Sequence, residues 1–240
     1  MSSTSFRNRG AKGPSILCQS ASQPAAARHR VQRGDLAIDL NSILCAIRAC
    51  RVCRDAPHGA PLPHEPRPVV RAAGSARVLI IGQAPGARVH ASGLPFDDPS
   101  GVRLRAWMAI ERDTFYDASR IAFAPMGFCF PGQSAKGTDL PPRRECAPLW
   151  QERLALSLTN VRLVLLVGSY AQRWHLGSQA SGGLTQTVRR FEEILAVSDP
   201  RRVFPLPHPS WRNNSWLAAN TWFEAEALPR LRQELVRALT

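Results

Sequence analysis

Two turns in this chain carry residues suited to chemistry on a leaving group. Gly82-Gln83-Ala84-Pro85-Gly86 follows the apolar run 78–81, and His208-Pro209-Ser210 follows the apolar run 203–207. Short apolar runs bounded by turn residues have the pattern of buried strands. Both loops are therefore expected on the carboxyl edge of one parallel sheet, where open α/β sheets bind ligands. A glycine-bearing turn offers backbone N–H donors, and a histidine at a strand end offers a donor on a rigid mount. Such a pair suits stabilisation of negative charge as it develops on a departing group.

The elements that must position these loops can be read from apolar spacing. Segment 36–51 has helical spacing (Leu36, Leu40, Ile43, Leu44, Ile47) and runs into Cys50-Arg51-Val52-Cys53. Segment 57–68 holds five prolines and two histidines and reads as an extended linker. Strand and helix signals then alternate. Strands are expected at 78–81, 121–124, 163–167 and 203–206. Helices are expected at 100–110, 144–158, 169–176, 184–195 and 222–239, with Asp98 or Ser100 available to cap the first of these. Strands separated by helices imply α/β architecture: a three-layer α/β/α sandwich around a short central parallel sheet. Residues 1–34 read as a disordered basic tail, and 35–240 as the folded domain.

At 240 residues and 44% apolar composition the chain can bury one substantial core. A formal charge of +13 points to a polyanionic partner such as a nucleic acid. The charge is discounted in two ways. Lys12 and Lys136 are the only lysines, an arginine bias that a GC-rich genome produces regardless of function, and six of the basic residues lie in the acid-free tail, leaving +7 beyond it (13 minus 6). No apolar run approaches the roughly 18 residues of a membrane span. The tail lacks the continuous apolar stretch of a secretory signal. Its composition suits a transit peptide as well as a plain extension. Six cysteines without such a signal imply thiols or metal ligands rather than disulfides. A cytoplasmic, nucleoid-associated monomer is the expectation.

Taken in order, 78–86, Gly93-Leu94-Pro95-Phe96, Cys129, Glu145-Cys146, 164–168 and His208-Pro209-Ser210 resemble the uracil-DNA glycosylase superfamily, and within it the iron–sulfur uracil-DNA glycosylases. The likeness covers roughly residues 40–236. It implies hydrolysis of the bond between a damaged base and deoxyribose, after the nucleotide has been flipped from the stack. It makes Gly82, Ala84, Pro85 and Gly86 the turn around the base, and Phe96 the aromatic platform beneath it. His208 becomes the donor to the base anion, helped by backbone amides near Gly82 and Gln83. Ser210, Arg212 and Asn213 would face the DNA backbone, and Trp211 is a candidate wedge into the emptied stack. A core phenylalanine and a structural histidine are the plainer readings of Phe96 and His208.

The chain departs from the family pattern at two places. The family's water-orienting carboxylate is replaced by Gln83, which can hold water but not take its proton. Asp97 and Asp98 lie nearby. Helix capping explains Asp98, leaving Asp97 as the candidate to take the catalytic place of that carboxylate. Where the family carries a pyrimidine-reading asparagine, this chain has Pro125, which offers no donor. A broader or shifted range of deaminated bases follows, unless the backbone around 124–127 reads the base.

The resemblance also implies that Cys50, Cys53, Cys129 and Cys146 hold a 4Fe–4S cluster. It would tie the first helix to the long Gly/Pro loop rather than carry electrons. Zinc on the same thiolates, or four buried thiols with no metal, are the alternatives. Two other functional classes compete with the glycosylase. One is a damaged- or abasic-DNA binding protein with weak or no catalysis. The other is a nucleotide-binding α/β hydrolase, against which stands the lack of a Gly-Lys-Ser/Thr motif.

Overall fold

The four apolar runs become four parallel strands: β1 (Val78–Ile81), β2 (Ile121–Phe123), β3 (Leu163–Val167) and β4 (Arg202–Leu206). Their order across the sheet is β2-β1-β3-β4. The register aligns Val78 with Ile121 on one side and Leu163 on the other, and Leu163 with Arg202. The computed structural model describes residues 39–198 and 200–240, all within one unit, Ala37–Thr240. The expected tail at 1–34 lies outside the described residues.

Alternation along each strand sends side chains to opposite faces, and two cores result. Val78, Ile80, Phe123, Leu165 and Phe204 pack in one cluster with Leu104, Trp107, Phe191 and Leu231. Leu79, Ile81, Val164 and Leu166 pack on the other face with Ile43, Ile47, Trp150 and Leu154. The expected α/β/α sandwich is therefore observed. Helix α1 (Leu40–Arg48) is capped by Asp39, whose carboxylate accepts from Asn41 and Ser42 N–H at 3.3 and 2.9 Å. Next come α2 (Ala87–Ser92), α3 (Pro99–Met108), α4 (Cys146–Ser157), α5 (Ser169–Leu176), α6 (Phe191–Val197) and α7 (Leu228–Leu239).

Four details depart from the sequence reading. The helix expected over 184–195 is two pieces, Gly183–Arg189 and α6, broken at Arg190. The closing helix opens with a π-helical turn, Phe223–Ala227, before α7. Pro229 has no N–H for the ladder there, so the turn before it widens instead. The six-residue α2 after the glycine turn has no clear apolar period, so the sequence does not announce it. Finally, Cys45 is disulfide-bonded, against the expectation of thiols throughout.

Two buried glutamines tie helices to the carboxyl ends of strands. Gln151 of α4 donates to the Pro125 carbonyl at 2.8 Å and lies 3.4 Å from that of Ala124. Gln172 of α5 donates to the Leu206 carbonyl at 2.9 Å, two residues before His208, and reaches Leu166 at 3.4 Å. Both side chains are buried, where an unpaired amide would be costly, so the strand ends gain fixed partners.

Candidate active site

At the carboxyl edge of the sheet, the turn after β1 and the loop after β4 open into one cavity of about 640 Å³. Gly82, Gln83, Ala84, Pro85, Gly86, Phe96, His208, Ser210, Arg212 and Asn213 all line it. That volume lies within the range of small-molecule and cofactor sites. Gly168 sits at the end of β3 with φ +87°, and a Cβ there would lie 3.5 Å from the His208 Cβ. That distance is ordinary contact, so it is the positive φ rather than a lack of space that calls for glycine here.

His208 is partly buried, and its ring nitrogens make no hydrogen bond among the described residues. Burial pushes its pKa below the ordinary imidazole value; Asp98 opposes this, and Arg212 adds to it. A neutral ring carries one N–H and one lone pair. The loop beneath it is held from both sides. Asn213 Nδ2 donates to the His208 carbonyl at 2.7 Å, and Arg103 Nη1 donates to the Ser210 carbonyl at 3.1 Å. Ser210 Oγ accepts from the Arg212 N–H at 3.2 Å. Ser210 and Asn213 therefore shape the loop first. Arg212 and the 70% exposed Trp211 remain at the rim, the guanidinium 5.7 Å from the indole centroid.

The lowered pKa has a sign that melting can check. The unfolded imidazole binds a proton near its ordinary value and the folded one only below it, so stability is lost as pH falls between the two. Thermal melts from about pH 7.5 to 4.5 are expected to show a smaller acid-side fall for His208→Asn than for the native chain. An unchanged difference between pH values would remove His208 from that dependence.

The first turn is fastened to the segment after β2. Met126 and Gly127 N–H donate to the Gly82 and Gln83 carbonyls, each at 2.9 Å, and the Ala124 N–H to that of Ile80 at 3.0 Å. The Gln83 and Ala84 amides are left without a partner among the described residues. They are available as donors at the mouth of the turn.

Phe96 sits at φ +55°, a left-handed conformation rarely adopted by an aromatic residue. Several contacts enforce it. Tyr116 Oη donates to the Phe96 carbonyl at 3.1 Å, and burial raises that phenol's pKa, keeping it a donor. A Cβ on Gly101 would fall 1.8 Å from the same carbonyl oxygen, so α3 packs its backbone directly on the loop. The ring packs edge-on to Phe115 and tilted on Phe123, its tip 3.1 Å from where a Gly82 Cβ would stand. Strain held this way at a cavity wall costs about 1–3 kcal/mol and is found at functional sites.

The structure separates the two aspartates. Asp97 does not line the cavity; its carboxylate faces Arg112 at 3.6 Å. The residue expected to replace the missing carboxylate thus faces Arg112 outside the cavity lining. Asp98 does line the cavity, accepts from the Gly101 N–H at 2.9 Å as the α3 cap, and is the carboxylate that His208 senses. Sequence reasoning missed Arg103, Gln151 and Gln172. For Gln151 a signal exists: it occupies an apolar position in the stripe Ala147, Leu154, Leu158.

The cysteines converge as well. Cys50, Cys53, Cys129 and Cys146 line a second, tighter pocket together with Pro66, Phe128 and Arg143. The Phe128 N–H points at Cys146 Sγ, 3.3 Å away, and the Arg67 backbone N–H at Cys129. Burial pushes the Cys129 thiol up to about 12 and raises that of Cys146 as well. Even so, among the described residues no three or more His, Cys, Asp or Glu side chains close into a group able to hold a metal ion.

The parallel sheet thus brings the glycine turn, Phe96 and the strand-end histidine around one cavity, the architecture of an α/β protein with its site at the carboxyl edge. A family model for the uracil DNA glycosylase superfamily matches residues 70–232, and the chain belongs to that superfamily. Its members are N-glycosylases that act on DNA. Among the described residues no helix is long and apolar enough to cross a membrane.

Proposed function

We propose that the protein is a DNA glycosylase that hydrolyses the N-glycosidic bond of uracil or another deaminated base flipped out of DNA, in base excision repair. One observation carries this reading: the Gly82–Gly86 turn, Phe96 and His208 line a single cavity at the strand ends. A flipped base stacks on Phe96, gaining about 1–3 kcal/mol toward the cost of leaving the helix. As the C1′–N bond breaks, its electron pair moves onto the base. The His208 N–H and the unpartnered Gln83 and Ala84 amides are the donors available to that charge. Water then adds to the cationic C1′, and its proton goes to the departed base. Gln83 can hold that water by its carboxamide but takes no proton, so turnover slower than with a carboxylate is expected.

A damaged- or abasic-DNA binding role is the competing reading, favoured by the lack of a carboxylate at Gln83 and by the turn of Asp97 toward Arg112. Incubation with uracil-containing single- and double-stranded oligonucleotides, followed by alkali, separates the two. Strand breaks are expected. A gel shift without breaks would establish the binder.

Within the superfamily we place the chain with the iron–sulfur members, with Cys50, Cys53, Cys129 and Cys146 as ligands of a 4Fe–4S cluster. Four cysteines lining one pocket are the donor set that such clusters use. When bound, the cluster would cross-link the chain around α1 to the loop before α4, a structural task. The protein purified without oxygen is expected to be brown, absorbing near about 400 nm, with roughly four irons per chain. Bound zinc in a colourless protein, or no metal at all, would assign the thiols otherwise.

A further inference from the structure

We infer that the amino edge of the sheet, opposite the cavity, is a second DNA-binding surface, where Arg120, Arg77 and Arg162 take successive phosphates of a duplex other than the one at the cavity. Each of these arginines immediately precedes a strand. The register pairs Val78 with Ile121 and with Leu163, so the residues one position earlier stand side by side. Their backbones are joined directly. The Arg77 N–H donates to the Arg120 carbonyl at 2.9 Å, and the Arg162 N–H to the Arg77 carbonyl at 2.8 Å. Adjacent strands lie about 4.8 Å apart, so the row spans about 10 Å. One strand of a duplex carries a phosphate about every 3.4 Å along its axis, which sets about three over that length. Composition accounts for the number of arginines, not for their register.

The row is short of counter-charge. Arg120 and Arg162 are exposed and Arg77 is half-buried, and among the described residues none of the three side chains enters an ion pair or a hydrogen bond. Asp117 lies close to Arg120, but its Oδ1 is taken by the Ser119 N–H and hydroxyl at 2.9 and 2.6 Å. The arginines that open β4 are provided for. Arg201 donates to the Ala155 and Leu158 carbonyls at the end of α4, at 2.7 and 3.1 Å, and Arg202 Nη2 donates to buried Glu234 at 3.3 Å. Like charges set opposite one another across strands destabilise a sheet. Phosphate oxygens relieve that repulsion, and the planar guanidinium matches them with paired N–H groups. Between the two edges, β3 runs for five residues, about 16 Å. A short duplex at the cavity therefore leaves the row free for another.

Fluorescence energy transfer between two short undamaged duplexes, one carrying the donor and the other the acceptor, tests this with the full chain. The native chain is expected to bring the two together. Its affinity for the second duplex should fall with salt with a logarithmic slope of about −3, at about 0.9 per phosphate contact. Arg162→Gln alone should make that slope shallower by about 1. Arg77→Gln, Arg120→Gln and Arg162→Gln combined should weaken capture of the second duplex by at least about tenfold. The same three positions changed to lysine keep the charge and should retain capture. The melting temperature of the glutamine variant should be no lower than that of the native chain, since the repulsion is gone. No transfer by the native chain, or equal capture by the folded glutamine variant, overturns the inference. Because the duplexes carry no damage, either result leaves the glycosylase reading as it stands.

Discussion

Replacing His208 by alanine is expected to lower the single-turnover rate constant for base excision by about 10²–10³-fold, equivalent to about 2.7–4 kcal/mol of lost transition-state stabilisation. Affinity for damaged DNA should change far less. The difference follows from where the ring stands. His208 follows a strand whose last carbonyl, that of Leu206, is tied by Gln172, and its own carbonyl is tied by Asn213. Its mount is therefore fixed before substrate arrives, and the ring has no bond to break on binding, because it makes none among the described residues. A donor placed in advance contributes where charge develops, not where the neutral base rests. The proposed contacts to phosphate lie at the rim, where Arg212 is exposed, and should survive the substitution. His208→Asn, with a donor on a shorter arm, should fall between. A rate for His208→Ala within about threefold of the native enzyme would remove the imidazole from the chemistry and leave the free amides of Gln83 and Ala84 to carry it.

Much of this arrangement is legible in the chain because it is written in short-range signals. Apolar runs flanked by glycine and proline mark all four strands to within a residue of their ends. Alternation of strands and helices makes the sheet parallel, and parallel strands bring their following loops to one edge. That pairing joins the Gly82–Gly86 turn to His208, although Gly86 and His208 stand 122 positions apart (208 minus 86).

What stays hidden depends on partners that only packing supplies. Asp97 and Asp98 are adjacent and chemically alike. Only the packing shows that Asp97 stands outside the cavity, facing Arg112, while the start of α3 holds Asp98 at its wall. Gln172 reads as one more polar residue on a short helix, and only its contact with the Leu206 carbonyl shows its work. The strain at Phe96 is equally silent, since nothing in Leu94-Pro95-Phe96 demands a positive φ; Tyr116 and Gly101, brought in from later in the chain, impose it.

Gly101→Ala is expected to be the most damaging single-methyl change in the domain. A Cβ at this position would lie 1.8 Å from the Phe96 carbonyl oxygen, 2.7 Å from its carbon and 2.9 Å from the Phe96 Cβ. No rotamer relieves a clash with backbone, so either α3 or the Phe96 loop must shift. Overpacking of this kind costs about 1–3 kcal/mol of stability. The larger consequence is positional. The displaced carbonyl is the one that Tyr116 holds, and the ring of the same residue is the proposed platform for the base. A misplacement of about 1 Å costs about 10²-fold in rate even when the reacting groups are intact. Excision should therefore drop about a hundredfold in a protein that still folds at low temperature, with the loss exceeding that of Phe96→Leu, which keeps the loop in place. Gly59→Ala, where no heavy atom lies within 4 Å of the added carbon, serves as the control and should leave melting and excision unchanged. Native excision by Gly101→Ala would mean that the loop yields freely and that the geometry of Phe96 is not what the reaction depends on.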